Sequence, residues 1–221
     1  MNAFKARKPA PTLKEQIHHQ LLESITRSEF EPNEILTEKA LVERYNVSKS
    51  PVREALIELC NEGVLRSIPR YGYEVVRLTN RDIQNIRDYR LIVECGCMEK
   101  CWHMITPEKV ARLAQEYTRE GKPGESLSLF QLWQRNTRFH LDLIDFYQNP
   151  FLAENLAKAL RMNTRAYAQF YWELTHSTFM PGNDACHHSL LAALVSGDKA
   201  RSLQLLENDI KEFPTDYALR R

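Results

Sequence analysis

The 221-residue chain is short of glycine: it has seven, about half the usual share of near 7%. Few residues that take positive φ easily means few tight turns, which argues against an all-β sandwich and for helices joined by short connections. Long apolar runs are also missing. None approaches the roughly 18 residues that span a bilayer. The basic opening stretch up to Leu13 is not followed by an apolar segment, so neither a membrane helix nor a signal peptide is expected and the chain reads as cytoplasmic. Charge of one sign is lacking too, with 30 Lys plus Arg against 29 Asp plus Glu. The balance holds in each part, 12 against 11 over residues 1–78 and 18 against 18 over residues 79–221. Bulk charge therefore does not announce a nucleic-acid partner, although a single face can still concentrate cations.

Cysteine is present in an odd number, five, and without an export signal reduced thiols are the default. Cys95, Cys97, Cys101 and His103 invite a metal reading. On a helix, however, Cys95 and Cys97 point about 200° apart, and no second pair supplies the paired spacing of a zinc site, so structural thiols are expected.

What the sequence does have is 43% hydrophobic and 27% charged residues, enough for a real core and one or two domains. Its texture changes at Thr79-Asn80-Arg81-Asp82, where short elements give way to long helical periodicity. Residues 1–11 read as a flexible arm, 12–78 as one domain and 79–221 as a second, opened by a capping box of Thr79 and Asp82.

In the first domain, Leu13, Ile17, Leu21 and Ile25 mark an amphipathic helix that stops at Phe30-Glu31-Pro32-Asn33. Thr37 caps a second helix, with Ala40, Leu41 and Tyr45 facing inward. Asn46-Val47 makes a turn, and Ser48 caps a third helix whose apolar positions are Val52, Ala55, Leu56 and Leu59. A strand over Val64–Ser67, a turn at Pro69–Gly72 and a strand over Tyr73–Val76 follow. The layout is a winged helix-turn-helix. The third helix opens Ser48-Lys49-Ser50-Pro51-Val52-Arg53, with two hydroxyls and two cations opposite its apolar face. Hydroxyls and helix N-terminal amides suit phosphates, and Arg or Lys suits guanine edges in the major groove. The same residues would also serve as an ordinary solvated helix start; Arg66 and Arg70 on the wing favour DNA.

The segment Ile35–Leu56, containing Ser48-Lys-Ser-Pro-Val-Arg-Glu-Ala-Leu56, with Glu62-Gly-Val-Leu65 and Arg70-Tyr-Gly-Tyr73, resembles the DNA-binding domain of GntR-type bacterial transcription regulators. The resemblance implies that Lys39, Ser48, Lys49, Ser50, Arg53 and Gly72 approach DNA and that a homodimer binds a palindromic operator. Lys49 stands where arginine is more usual.

The second domain keeps polar residues on apolar stripes. From Ser126 to Asn149, Phe130, Trp133, Ile144 and Tyr147 share a helical face with Asn136 and His140, and Asn149-Pro150 is expected to end that helix. Ser196-Gly197-Asp198 reads as a tight helix-to-helix turn. His187 lies about ten residues before it and Asp209 about eleven after, so in an antiparallel hairpin both sit ~15 Å from the turn, at one height. Asn136, His140, His187 and Asp209 can then converge. Two imidazoles, a carboxylate and an amide oxygen suit zinc, nickel or manganese; each residue could equally be a satisfied core polar group.

Arg90-x-x-x-Glu94, Asn136-Thr-Arg-Phe-His140, His187 and the final helix resemble the FCD ligand-binding domain of the FadR subfamily of GntR regulators. The resemblance implies an effector site that includes Arg90 and Glu94. Metal-bearing members carry aspartate at the position of Asn136 and histidine at that of Asp209, so this chain departs at both. The expected protein is mostly α-helical, with a winged helix and an all-α antiparallel bundle. Its expected function is transcription regulation, of the repressor kind, by a small effector such as a carboxylate or sugar acid. Two other classes compete: a constitutive dimeric DNA-binding protein without effector, and a metal-dependent helical-bundle enzyme. The latter is disfavoured because H-E-x-x-H, a nucleophile elbow and a phosphate loop are all missing.

Overall fold

A computed structural model describes residues 11–120, 129–171 and 183–211. Most of the arm, Ser126 and Phe213 lie outside the described residues, as does the side chain of Phe130. The chain divides into two compact units, Met1–Arg77 and Leu78–Arg221.

In the first unit, α1 (Leu13–Thr26) opens with a capping box: the Thr12 hydroxyl accepts from the Glu15 amide, and the Glu15 carboxylate accepts from the Thr12 amide. Its stripe of Ile17, Leu21 and Ile25 is buried. Thr37 caps α2 (Glu38–Tyr45), and Asn46, at φ 50, ends it in the left-handed conformation that asparagine tolerates. Leu41 is buried on α2 with Val42 and Tyr45 half-buried, but Ala40 is exposed, contrary to its expected inward position. One step of about 100° from Leu41 turns it to solvent. Ser48 occupies the cap of α3 (Lys49–Asn61) but makes no side-chain cap hydrogen bond. Val52, Ala55, Leu56 and Leu59 are all fully buried.

The wing strands β2 (Leu65–Ile68) and β3 (Gly72–Val75) are antiparallel and displaced by about a residue from the expected spans. A third strand, β1 (Ile35–Leu36), pairs with β3, giving the order β1-β3-β2. Two residues are too few for alternation to reveal a strand. Gly72, at φ 141, explains that pairing: a Cβ there would stand 2.3 Å from the Leu36 carbonyl oxygen. Its packing role is therefore independent of any DNA contact.

The second unit is helical in all its described regular elements. Its first helix, α4 (Asn80–Arg90), opens with the expected Thr79–Asp82 capping box. It continues through a widened π-helical turn (Leu91–Cys95) into α5 (Gly96–Lys100). Then come α6 (Pro107–Glu120), α7 (Leu129–Asp145), α8 (Pro150–Tyr171), α9 (Asn183–Ser196) and α10 (Lys199–Lys211). Asn149-Pro150 begins α8 rather than ending α7: the Asn149 Oδ1 accepts from the amides of Phe151 and Leu152. Proline at the first helical position loses no hydrogen bond, so Asn-Pro here is a start signal. Gly197 (φ 73) closes α9, and Asp198 caps α10 by accepting from the Arg201 amide. Met98, Phe139, Leu156, Leu190 and Leu206 lie in the core. Cys95, Cys97 and Cys101 pack against it as thiols, and burial pushes Cys95 up to about 11. These are the structural cysteines expected from their spacing. No described helix is long and apolar enough to cross a membrane.

Candidate nucleic-acid interface and metal centre

On the first unit the expected polar residues of α3 stand on its outer face. The side chains of Arg53 and Lys49 are 57% and 66% exposed, so both reach solvent. They are four apart on one helix and would repel each other, but a carboxylate from α2 lies between them. Glu38 accepts from Arg53 Nε at 2.9 Å and lies 3.0 Å from Lys49 Nζ. The Tyr73 hydroxyl of β3 donates to the same carboxylate at 3.4 Å. The contact with Arg53 holds the Glu38 carboxyl below its ordinary range despite partial burial, and Lys49 adds to the effect. Ser50 donates to Glu54 at 2.9 Å. Lys39 extends from α2 into solvent, its Nζ 4.0 Å from Glu43, and Ser48 is exposed. On the wing, Arg66 donates to Glu74 at 2.9 Å, and Arg70 sits at the turn with φ 70. Lys39, Ser48, Lys49, Ser50 and Arg53 thus share one helix-turn-helix motif, with Arg70 on its wing. Glu38 escaped the sequence reading, since an acid in the first turn of a helix is ordinary there.

In the second unit, three of the four expected donors meet. One ligand atom each from His140, His187 and Asp209 lies within 4.8 Å of the others, and all three residues are buried in the bundle. Asp209 bridges the imidazoles: its Oδ2 is 3.0 Å from His140 Nε2 and its Oδ1 is 3.3 Å from His187 Nε2. Neither Asp209 oxygen, nor His140 Nε2, has a hydrogen bond of good geometry, although all are shielded from solvent. Asn136 lies one turn before His140 on α7, and its Oδ1 is likewise buried without a hydrogen-bond partner.

The outer nitrogens are held as well. Glu94 Oε2 is 2.6 Å from His140 Nδ1, and Arg90 donates to Glu94 Oε1 at 2.7 Å, so the π-helical turn delivers a buried ion pair behind the imidazole. The Tyr117 hydroxyl lies 2.9 Å from His187 Nδ1, and the Phe139 ring stacks on His187 at 4.0 Å. Carboxylate or hydroxyl support of this kind orients ligating imidazoles. Arg90 and Glu94, expected at the effector, are thus joined to the histidine cluster. Burial opposes charge on Glu94 and Asp209. It is outweighed by Arg90 and His140 at Glu94 and by the two imidazoles at Asp209, so both carboxyls lie below their ordinary values. At His140, burial disfavours the proton, but Glu94 and Asp209 more than offset it, and its pKa is raised. The sequence singles out Glu94 but not its pairing with His140, 46 residues away, and it does not mark Tyr117, which meets His187 from 70 residues away.

A winged helix with a cationic outer helix face, carried on a chain with a separate helical unit, defines a class of two-part DNA-binding regulators. The family model for bacterial regulatory proteins of the gntR family matches residues 13–75, and that for the FCD domain matches residues 85–212. The chain belongs to the GntR family of bacterial transcription regulators and carries an FCD domain. Its relatives include the HTH-type transcriptional regulator YdhC of Bacillus subtilis, 30% identical over 69% of this chain and 68% of that one. The HTH-type transcriptional repressor RspR of Escherichia coli is 28% identical over 60% of this chain and 58% of its own length. Among solved structures, Escherichia coli McbR/YncC superposes with a TM-score of 0.68 at 21% identity, covering 96% and 99% of the two chains. A GntR regulator structure from Rhodococcus gives 0.68 at 18% identity, covering 94% and 98%. These two likenesses support the fold. The family is one of transcription regulators rather than enzymes.

Proposed function

We propose that the protein is a homodimeric, cytoplasmic repressor that reads a palindromic operator with α3 and the wing. In this reading its operator affinity responds to a small carboxylate or sugar acid bound in the FCD domain beside a divalent ion. Arg53, Lys49, Lys39, Ser48, Ser50 and Arg70 would meet the DNA. His140, His187 and Asp209 would hold zinc, nickel or manganese, with Asn136 Oδ1 as a fourth, weaker donor. One observation carries the ion: two buried imidazoles and a buried carboxylate converge, and His140 Nε2 and both Asp209 oxygens lack hydrogen bonds of good geometry. Such donors are costly to bury idle. A bound ion would supply an electrophilic anchor for the effector's carboxylate. Arg90 and Glu94 would support that cluster, Glu94 by orienting His140.

A specific observation favours a second reading, in which the cluster is a metal-free polar core. Both His140 nitrogens face carboxylates, at 2.6 and 3.0 Å, which suits an imidazolium. Elemental analysis of gently purified protein separates the two. About one equivalent of a transition metal, lost in His140→Ala and His187→Ala, is expected. Less than a tenth of an equivalent, with no uptake of zinc, manganese or nickel, would establish the polar core. Thermal shift with a panel of organic and sugar acids tests the effector: saturable stabilisation by one compound is expected, and silence across the panel favours a constitutive DNA-binding dimer. Sedimentation tests the dimer, since a monomer near the 25.9 kDa chain mass at micromolar concentration would contradict it.

A further inference from the structure

The DNA-reading helix does not hold its cations alone. Arg53 and Lys49 project from the same face of α3, and the ion pairs they make run to α2 rather than to an acid of α3 itself. Both converge on one carboxylate from the preceding helix. Glu38 takes Arg53 through Nε at 2.9 Å and Nη2 at 3.5 Å, and Lys49 Nζ at 3.0 Å. Its side chain is 17% exposed, far less than those of the cations it holds, and the Tyr73 hydroxyl of the wing donates to its Oε1 at 3.4 Å, the oxygen that also accepts from Arg53 Nε. The Nε–Nη2 edge of the guanidinium is thus held by Glu38, while the side chain as a whole stays 57% exposed.

We infer that Glu38 is a positioning residue for sequence reading: it sets the orientation of Arg53 and Lys49 before DNA arrives and ties the recognition helix to the wing. A long cation left free on the surface adopts many rotamers and still attracts any phosphate. A guanidinium that discriminates bases must present its donors in one plane, and ordering it beforehand lowers the entropy lost on docking. The two contributions therefore respond to Glu38 with opposite sign. Neutralising Glu38 adds one net positive charge to the DNA-facing surface, which strengthens contact with any duplex, while it releases the two side chains that read the sequence. The ordinary alternative, a helix-start acid that only stabilises α2, would move fold stability and leave discrimination untouched.

This inference rests on the reading of α3 as the DNA-reading helix, and the experiment keeps the two apart. A duplex enriched from a randomised library by the wild-type full-length chain, and a scrambled duplex of equal length, are titrated with wild type, Glu38→Gln and Arg53→Ala at one salt concentration. For Glu38→Gln the ratio of the two affinities should fall about tenfold, with binding to the scrambled duplex unchanged or tighter. Arg53→Ala should lose the same discrimination but bind the scrambled duplex more weakly. If Glu38→Gln keeps the wild-type ratio while Arg53→Ala loses it, Glu38 does not position the reading group. If Arg53→Ala also keeps the ratio, the assignment of α3 itself fails. Should Glu38→Gln not fold by circular dichroism, Glu38→Asp, which keeps the charge on a shorter arm, carries the same comparison: a lost ratio supports positioning by reach, and an unchanged ratio overturns it.

Discussion

The two units handle charge in opposite ways. On the winged helix, cations stand in water, with Arg53, Lys49 and Lys39 side chains all more than half exposed. In the bundle, Glu94, His140, His187 and Asp209 are at most 4% exposed. Exposed pairs contribute little to folding, since solvent already satisfies them. A buried set must satisfy itself, and losing one member strands the rest. Fold and function are therefore separable in the first unit and entangled in the second.

The sharpest way to break this contrast is Asp209→Ala. Removing the bridging carboxylate leaves two imidazoles buried around an empty place. The expected loss in the metal-free protein is about 3–5 kcal/mol, read by urea unfolding; a loss below about 1 kcal/mol would show that the cluster is better hydrated than its burial implies. Lys49→Ala is the counterpart. Its unfolding free energy should stay within about 0.5 kcal/mol of wild type, while binding to the selected duplex weakens by about 1 kcal/mol, less than for Arg53→Ala, because an ammonium is a point charge rather than a fork.

The pH dependence sharpens the comparison from another side. His140 has a folded pKa raised above 6.5 by Glu94 and Asp209, against burial. Its stabilising contribution is therefore fully present below pH 6.5 and is lost as pH rises through the folded value. Glu94 and Asp209 are lowered from 4.5 and 3.8, so theirs is present above those values and lost on acidification. With chelator present, melting of the bundle should be highest between about pH 4.5 and 6.5 and fall toward pH 9. With zinc present the upper limb should reverse, since ligating imidazoles must be neutral. A fall with both chelator and zinc would speak against metal binding.

The smallest effect belongs to the first unit. His18 on α1 lies 3.2 Å from Glu62, a contact that raises its pKa despite partial burial. His18→Gln should cost under about 1 kcal/mol, in full below pH 6.5 and progressively less as pH rises through the raised folded value. A larger cost at pH 8 would mean that packing, not the proton, matters there.

Much of this was legible in the sequence where the signal is local. Thr37, the Thr79–Asp82 capping box and Gly197-Asp198 marked helix ends by the hydrogen bonds they make, and the apolar spacing of α3 was buried in full. Because the hairpin turn sets the height of both flanking helices, His187 and Asp209 could be paired by counting, and they meet at 3.3 Å. What failed was either too short or ambiguous: β1 has two residues, and Asn149-Pro150 has the composition of both a helix stop and a helix start. What was missed is long-range. Glu94 behind His140, Tyr117 behind His187 and Glu38 beneath Arg53 follow from tertiary packing, and no local pattern encodes them.

The most direct test of DNA reading by α3 is fluorescence anisotropy of Arg53→Ala against wild type on the duplex selected by the wild-type chain. Binding should weaken by about 1–3 kcal/mol, with an unchanged circular dichroism spectrum and melting temperature. Unchanged binding by an equally well folded variant would contradict it.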